Sequence, residues 1–493
     1  MKSIQLITLI LLTHTVFGQT PKLVGSYEKS KNFNQPHDTY IYNDQVLLNY
    51  SPYIPATNLS LIKYGLYQHA PLQTNGTFTD TKIPTKEGIV QNTFYSGDTI
   101  TEFVIYYSKG FPKYKCKYAL RRRSIQSMEL FGDEIIIATH EFMDVTEYKN
   151  INVFHNGLDF IFVESLKTSC KITFLSNLLE VANTIELESQ SYSTSSSGRL
   201  YVINYGKDGS LLLLSPDNNY DHQALNTAQN KIIHISAEGI INSFTTSFEE
   251  SSMMSIGFGF YEHNTEKEEI SWTYRLKSMD KTPQYGFGVA KWKIDGSLIY
   301  NSTCFLDFET MFKNEPQIVE EFKTRKLPND KIWGDFGRIY RQTHNKEDYV
   351  FITRPTLYPS QFTSALYVIK LDENGQMKWF KPLFSIIMGY QIGYSPKPYF
   401  KNGKLHILLA DLSVNLKERS HVNNPFERRD GEITFFDITL NSEDGSEESN
   451  YQLDFSTLED NDLNLFSVNQ EKLSAIVGIT AGKTVSYYLF DLK

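Results

Sequence analysis

The sequence predicts an almost all-β chain, and three observations carry that reading. Short runs alternate with a period of two, the spacing that puts residues i and i+2 on one face of a strand. They include 40–42, 46–48, 103–107, 134–137, 231–235, 366–369 and 485–489. These runs are β-branched or aromatic and are bounded by Gly, Asn, Asp, Ser or Lys. Helical patterning is rare, confined to 309–326, interrupted at Pro316, and to a turn or two near 221–229. Strand–turn–strand elements also recur along the chain.

Two recurring elements can be told apart. The first is a strand, an acidic turn closing on Gly, then a second strand. Its clearest copy runs through 366–371, Asp372-Glu373-Asn374-Gly375 and 376–379. Others pass through Asp295-Gly296, Ala237-Glu238-Gly239 and 441–445. The glycine supplies the positive φ that a tight hairpin needs. An aromatic follows it by four in two copies, Gly375 to Trp379 and Gly296 to Tyr300, while Ser243 and Ser449 stand there in the other two. The second element is a turn feeding a strand, as in Ser96-Gly97-Asp98, Phe131-Gly132-Asp133 and Asn402-Gly403-Lys404, with a looser copy at 470–473 that lacks the glycine.

Spacing turns the elements into a count. The turn glycines 239, 296, 375 and 445 are about 57, 79 and 70 residues apart, a mean near 69. At that period the chain after residue 18 holds about seven units. A four-stranded sheet repeated this way is the blade of a β-propeller. The expected fold is therefore an all-β propeller of about seven blades, with six to eight open. The unit exceeds a compact blade, so insertions at 306–332 and 413–431 must be loops. The last strand, 485–492, does not complete a blade, and 22–27 could supply its missing outer strand. Pairing the two chain ends in this way would hide sheet edges.

The run Asp372-x-x-Gly375-x-x-x-Trp379 resembles the aspartate–glycine–tryptophan blade signature of quinoprotein-like propellers. It covers one full copy and a partial one, Asp295-Gly296 to Tyr300. The resemblance is to β-propeller repeats of exported, bacterial-envelope type, not to the quinoprotein enzymes.

The N-terminus reads as an export signal. Met1-Lys2-Ser3 precedes a mostly apolar run over 4–17, too short for a membrane span, and small residues lead up to Gln19. No cysteine follows, so the signal is not of lipoprotein type. Residues 19–493 are expected to form one propeller domain. The alternative is two β domains split in the Ser/Thr-rich tract 189–198. Three cysteines, Cys116, Cys170 and Cys304, are too few for a disulfide scaffold, and each lies in an alternating run. They read as buried core residues.

The chain has 48 Lys+Arg against 57 Asp+Glu, a formal charge of −9, which argues against a nucleic-acid binder. Aromatic residues make up 14% of the chain, and most read as packing between blades. His140-Glu141 has Asp144 where a zincin helix needs its second His, no cysteine pair has zinc spacing, and no G-x-S-x-G elbow or phosphate loop occurs. S-x-x-K occurs at Ser26, Ser60 and Ser278 without a helix to open. The oxygen-rich loops 372–375 and 217–221 read as ordinary turns, not calcium sites. No catalytic residue, metal site or cofactor is assigned. The densest charge cluster is the insertion carrying Lys417, Arg419, His421, Arg428 and Arg429, read as a partner-binding loop.

The expected function is an exported, non-catalytic interaction module. Its partner would be another envelope or outer-membrane protein, as in a secretion or uptake complex, and its place periplasmic, outer-membrane associated or extracellular. Two other readings stay open: a glycan- or peptide-processing hydrolase or lyase with its site at a propeller channel, and a surface ligand-binding or adhesion protein.

Overall fold

The computed structural model describes residues 22–28, 33–42, 45–52, 68–71, 89–109, 114–127, 129–142, 151–165, 169–188, 201–216, 230–246, 253–255, 260–264, 267–278, 285–306, 320, 338–354, 363–386, 397–412, 433–453, 462–469 and 473–492. The export signal, the Ser/Thr-rich tract and the insertion at 413–431 lie outside these residues. So do the helix expected over 309–326, Glu320 excepted, and the turns near 221–229. Two compact units divide the chain. One joins Met1–Glu28 and Pro283–Phe287 to Thr303–Lys493, and the other joins Lys29–Thr282 to Gly288–Ser302.

The strands fall into sheets that follow the chain. β1 (Lys22–Glu28) comes first. Sheet I holds β2 (Phe33–Tyr42), β3 (Gln45–Pro52) and β4 (Gln68–Pro71). Sheet II holds β5 (Ile89–Ser96), β6 (Thr99–Lys109), β7 (Tyr114–Ser124) and β8 (Leu130–Phe142). Sheet III holds β9 (Ile151–His155), β10 (Phe160–Ser165), β11 (Ser169–Leu175) and β12 (Val181–Glu188). Sheet IV holds β13 (Tyr201–Tyr205), β14 (Leu211–Pro216), β15 (Asn230–Ile235) and β16 (Ile241–Thr246). Sheet V holds β17 (Met253–Ser255), β18 (Phe260–Asn264), β19 (Glu269–Ser278), β20 (Tyr285–Lys293) and β21 (Leu298–Phe305). Sheet VI holds β22 (Arg338–His344), β23 (Glu347–Arg354), β24 (Thr363–Leu371) and β25 (Met377–Ile386). Sheet VII holds β26 (Lys397–Lys401), β27 (Lys404–Leu412), β28 (Ile433–Leu440) and β29 (Glu447–Leu453). Sheet VIII holds β30 (Asp462–Asn469), β31 (Ser474–Ala481) and β32 (Thr484–Asp491), with β1 added.

Among the described residues, seven sheets follow a four-strand path, and sheet I has three strands. Sheet V fits the same path, because β17 and β18 pair with successive stretches of β19, 276–278 and 269–273. Its first strand is thus broken in two. This repetition is the blade pattern of a β-propeller, the fold class the sequence predicts. Every alternating run named above lies in a strand.

Sheets III and IV are apolar on both faces because each is covered on both. In sheet III, Phe160 and Phe162 pack with Phe103, Tyr118 and Leu120 of sheet II. Their neighbours Ile161 and Val163 point the other way, onto Leu211 and Leu213 of sheet IV. Leu212 in turn faces Trp272, Tyr274 and Trp292 of sheet V. Leu211-Leu212-Leu213 therefore reads as an unbroken apolar run, as a doubly covered strand must. Sheets VI and VII repeat the arrangement through Phe351, Trp379, Phe400 and Phe436. Each such side chain contributes about 1.5–3 kcal/mol on burial. Phe94, which lies in β5, packs edge-on against Phe160 at 5.5 Å, so this aromatic fills the gap between blades.

The first repeated element is the hairpin between a blade's third and fourth strands. At 176–180, 236–240, 293–297 and 372–376 the same two bonds close it. The first residue's N–H donates to the carbonyl four residues on, and the fourth residue's N–H donates back to the first residue's carbonyl. The fourth residue has positive φ: Gly239 (85°), Gly296 (89°), Gly375 (76°) and, in sheet III, Leu179 (68°). A left-handed non-glycine costs roughly 1–2 kcal/mol. Leu179 offsets that by lying buried in the core between sheets II and III. The second element marks the hairpin between first and second strands at Gly97 and Gly403. The copy at Gly132 is different. It lies inside the outer strand β8, where its φ of 68° serves a register shift opposite 120–122, not a turn.

β1 completes sheet VIII by pairing antiparallel with β32, from Lys22 opposite Leu489 to Glu28 opposite Thr484. Chain ends joined in one sheet leave β32 with no open edge. Deleting 22–28 is expected to destabilise the protein by about 2–3 kcal/mol, from a few ladder hydrogen bonds at about 0.5–1.5 kcal/mol each. It should also promote aggregation. Thermal denaturation with light scattering checks this, and an unchanged midpoint would count against the pairing.

Candidate interaction surface

The hairpins of sheets III, IV and V, all within one compact unit, stand at one end of their blades. In an antiparallel meander the first-to-second and third-to-fourth turns share an end. Contacts between sheets tie those ends together. Asn156 Nδ2 donates to the Gly206 carbonyl at 2.7 Å, joining the first turns of sheets III and IV. A Cβ at Gly239 would lie 4.0 Å from Ile185 of β12, and one at Gly296 would meet Phe244 of β16 at 2.8 Å. Only glycine lets the turn of sheet V approach sheet IV so closely.

Among the described residues at this end, large apolar side chains stand exposed in each of the three sheets. Leu158 and Leu178 lie in the turns of sheet III, Val181 opens β12, Ile240 ends the turn before β16 and Ile241 opens it, and Leu298 and Ile299 open β21. They are between 42% and 62% exposed. Single exposed apolar residues need no explanation, but the same position recurring in consecutive sheets does.

Carboxylates edge the row. Asp159, Glu180, Asp208, Glu238, Glu268 and Asp295 lie in the turns beside it, against Lys207, Lys267 and Lys293. A hydrogen bond from the Ser236 hydroxyl holds the Glu238 carboxyl below its usual range, and Ser297 does the same for Asp295. Burial works against the Asp208 carboxylate, but the Ser210 hydroxyl and N–H outweigh it and keep its pKa low. Asp208, Glu238 and Asp295 therefore stay ionised well below neutral pH.

Two polar clusters elsewhere are buried. Glu102 bonds Arg121 at 2.6 Å and Arg123 at 3.1 Å, all three inside sheet II. His406 lies 3.3 Å from Asp437 and 3.2 Å from Thr439 within sheet VII, and its ring stacks on Tyr399. Burial and the nearby Asp437 raise the Tyr399 hydroxyl far above its ordinary pKa. Among the described residues no group of three or more His, Cys, Asp or Glu could hold a metal ion. The Asp372 carboxylate is engaged in its own turn, accepting from the Asn374 and Gln376 N–H groups at 2.8 Å each. Cys116 and Cys170 are buried, Cys304 is half-buried, and none of the three is in a disulfide. Burial pushes the Cys304 thiol up to about 11, and raises Cys116 as well.

The residues singled out as a partner-binding loop, Lys417, Arg419, His421, Arg428 and Arg429, lie outside the described residues. The apolar row was not among the sequence-derived candidates, although Ile240-Ile241 and Leu298-Ile299 stand directly after the repeated turns. No described helix is long and apolar enough to cross a membrane.

No protein-family model and no curated protein matches the chain. Solved structures similar to it are distant. The β-propeller domain of the trilobed protease from Pyrococcus furiosus is 10% identical, with a TM-score of 0.34, over 88% of this chain and all of that one. The polysaccharide lyase Uly1 is 8% identical, with a TM-score of 0.39, over 96% and 100%. The dihydro-heme d1 dehydrogenase NirN is 8% identical, with a TM-score of 0.40, over 99% and 81%. Likenesses this weak carry no argument about activity, and the assignment as a β-propeller rests on the blade topology itself.

Proposed function

We propose that this protein is an exported, non-catalytic β-propeller that works as an interaction module of the cell envelope, docking another envelope or outer-membrane protein on the hairpin ends of sheets III–V. The observation that carries the reading is the exposed apolar row from Leu158 to Ile299. Apolar surface in the middle of a patch supplies most of the association energy, and a charged rim sets the partner's sign. With carboxylates outnumbering lysines along the turns, the fitting partner presents an apolar segment flanked by Lys or Arg. Such a rim speeds encounter and makes the association weaken with salt.

The test is a double variant, Ile241→Glu with Leu298→Glu. Both side chains are exposed, so the fold should keep its thermal midpoint within about 0.5 kcal/mol of stability. Copurification from crosslinked envelopes should return a reproducible partner with the wild type and lose it, by about tenfold or more, with the variant. Retention of the partner by a folded variant would refute the surface, and a wild type that returns no reproducible partner would refute the function.

A further inference from the structure

His234 of β15 and His263 of β18 face each other where sheets IV and V meet. Their ring centroids are 5.2 Å apart at 71°. His234 is only 7% exposed. All four ring nitrogens are buried, and none has a hydrogen-bond partner among the described residues. Such an arrangement is costly for neutral imidazoles and more so for charged ones, since a protonated ring must place two N–H donors.

The surroundings do not compensate. Across the sheets, His234 stands between Leu212 of β14 and Asn242 of β16, and His263 stands opposite Ile270 of β19. The charged groups that act on the pair are Asp208, from the turn between β13 and β14, and Glu268, from the turn between β18 and β19. Asp208 acts on both rings and Glu268 on His234. Asp208 is already engaged by the N–H and hydroxyl of Ser210, at 3.0 and 2.7 Å. The equivalent row in sheet VI is built differently. There Lys370 stands two residues before the turn, as His234 does, and its ammonium bonds Glu347 and the Ser442 carbonyl at 2.6 Å each. In sheet IV that position carries a ring without a hydrogen-bond partner among the described residues.

We propose that the His234–His263 pair is an acid-sensitive joint between sheets IV and V, holding while both rings are neutral and loosening when one takes a proton. The joint lies in the same sheet-to-sheet contact as the apolar layer of Leu212, Ile232, Trp272 and Trp292, so strain there reaches the packing between the blades. It does not depend on the proposed function.

Burial lowers both pKa values from the ordinary 6.5, and the neighbouring His234 takes His263 further down, to about 4. The sign follows from linkage. Above pH 6.5 both states are neutral and the joint is intact. Between 6.5 and 4 the unfolded chain binds the proton and the folded one resists it, so stability falls as pH falls. For His263 alone, the shift corresponds to a rise in the unfolding equilibrium constant on the order of 10²-fold across that window.

The experiment compares denaturant unfolding of the full protein with that of His263→Phe at intervals from pH 7.5 to pH 4. The phenyl ring keeps the shape of the contact and cannot titrate. The wild type should lose stability more steeply below pH 6.5, and the variant should lack a component on the order of 10²-fold. Parallel NMR titration of the wild-type imidazoles serves if the variant does not fold. The His263 ring is expected to stay neutral at pH 6, and the His234 ring to titrate below 6.5. Equal pH slopes for the two proteins, or both rings titrating near 6.5, would overturn the proposal.

Discussion

Replacing Trp379 with alanine is expected to cost about 3–5 kcal/mol, the range for removing a buried aromatic from a packed core. The side chain is 8% exposed and sits on the outer strand of sheet VI. Its indole N–H donates to the Ser442 carbonyl at 3.0 Å, in the turn of sheet VII. Gly445 of that turn lies so close that an added Cβ would meet the indole ring at 2.6 Å. Its φ of 72° also disfavours any side chain. The indole thus packs under the next blade and satisfies one of its carbonyls. Tyr349 stands edge-on to it at 6.1 Å, and Lys370 bonds the same Ser442 carbonyl. Trp379→Ala should therefore lower stability by unfolding in denaturant, and Trp379→Phe by less, since it keeps most of the ring. Gly445→Ala should approach the cost of the tryptophan deletion from the other side of the contact. An alanine variant within about 1 kcal/mol of wild type would mean the blades do not depend on this contact.

The second large effect is expected at Glu102. Its carboxylate is fully buried and is shared by two nearly buried guanidiniums, Arg121 and Arg123. Taking such a charge out of water costs several kcal/mol, repaid only while its partners are in place. Glu102→Gln keeps the shape and removes the charge that both arginines share, so a loss of about 3–5 kcal/mol is expected. The triple replacement of Glu102, Arg121 and Arg123 by apolar residues should recover much of it, because a buried ion cluster gains little over hydrophobic packing. Chemical denaturation of the single and triple variants checks this. A triple variant as unstable as the single one would show that the cluster is needed for more than charge balance.

The blade pattern was legible because it rests on local chemistry. Doubly covered strands must be apolar on both faces, as 211–213 are, and a tight hairpin needs positive φ, which Gly239, Gly296 and Gly375 advertise. The missing outer strand of the last blade was legible too, since 485–492 did not complete a blade and 22–27 had the pattern to do so. What failed was the reading of single residues whose role depends on distant ones. Leu179 takes the glycine position of its turn because the core between sheets II and III holds its side chain, and nothing adjacent in sequence says so. Gly132 looked like a turn and serves a register shift in β8. The aromatic after the turn was visible at Trp379, but its partner Gly445 stands a whole blade away.

The candidate surface was less legible for a related reason. An apolar residue that opens an outer strand obeys the same alternation whether a neighbour covers it or not. Nothing beside Ile240, Ile241, Leu298 and Ile299 in sequence sets them apart from core residues, and only their exposure in the fold does so. The charge cluster around Arg428 drew attention because charge density can be read from sequence alone.

The most direct measurement places a photoreactive amino acid at Ile241 or Leu298, and at Leu23 of β1 as an exposed apolar control in the other compact unit. Irradiation is done in intact envelopes. One and the same crosslinked polypeptide is expected from positions 241 and 298, absent at 23. Equal crosslinking at all three positions, or none at 241 and 298, would contradict it.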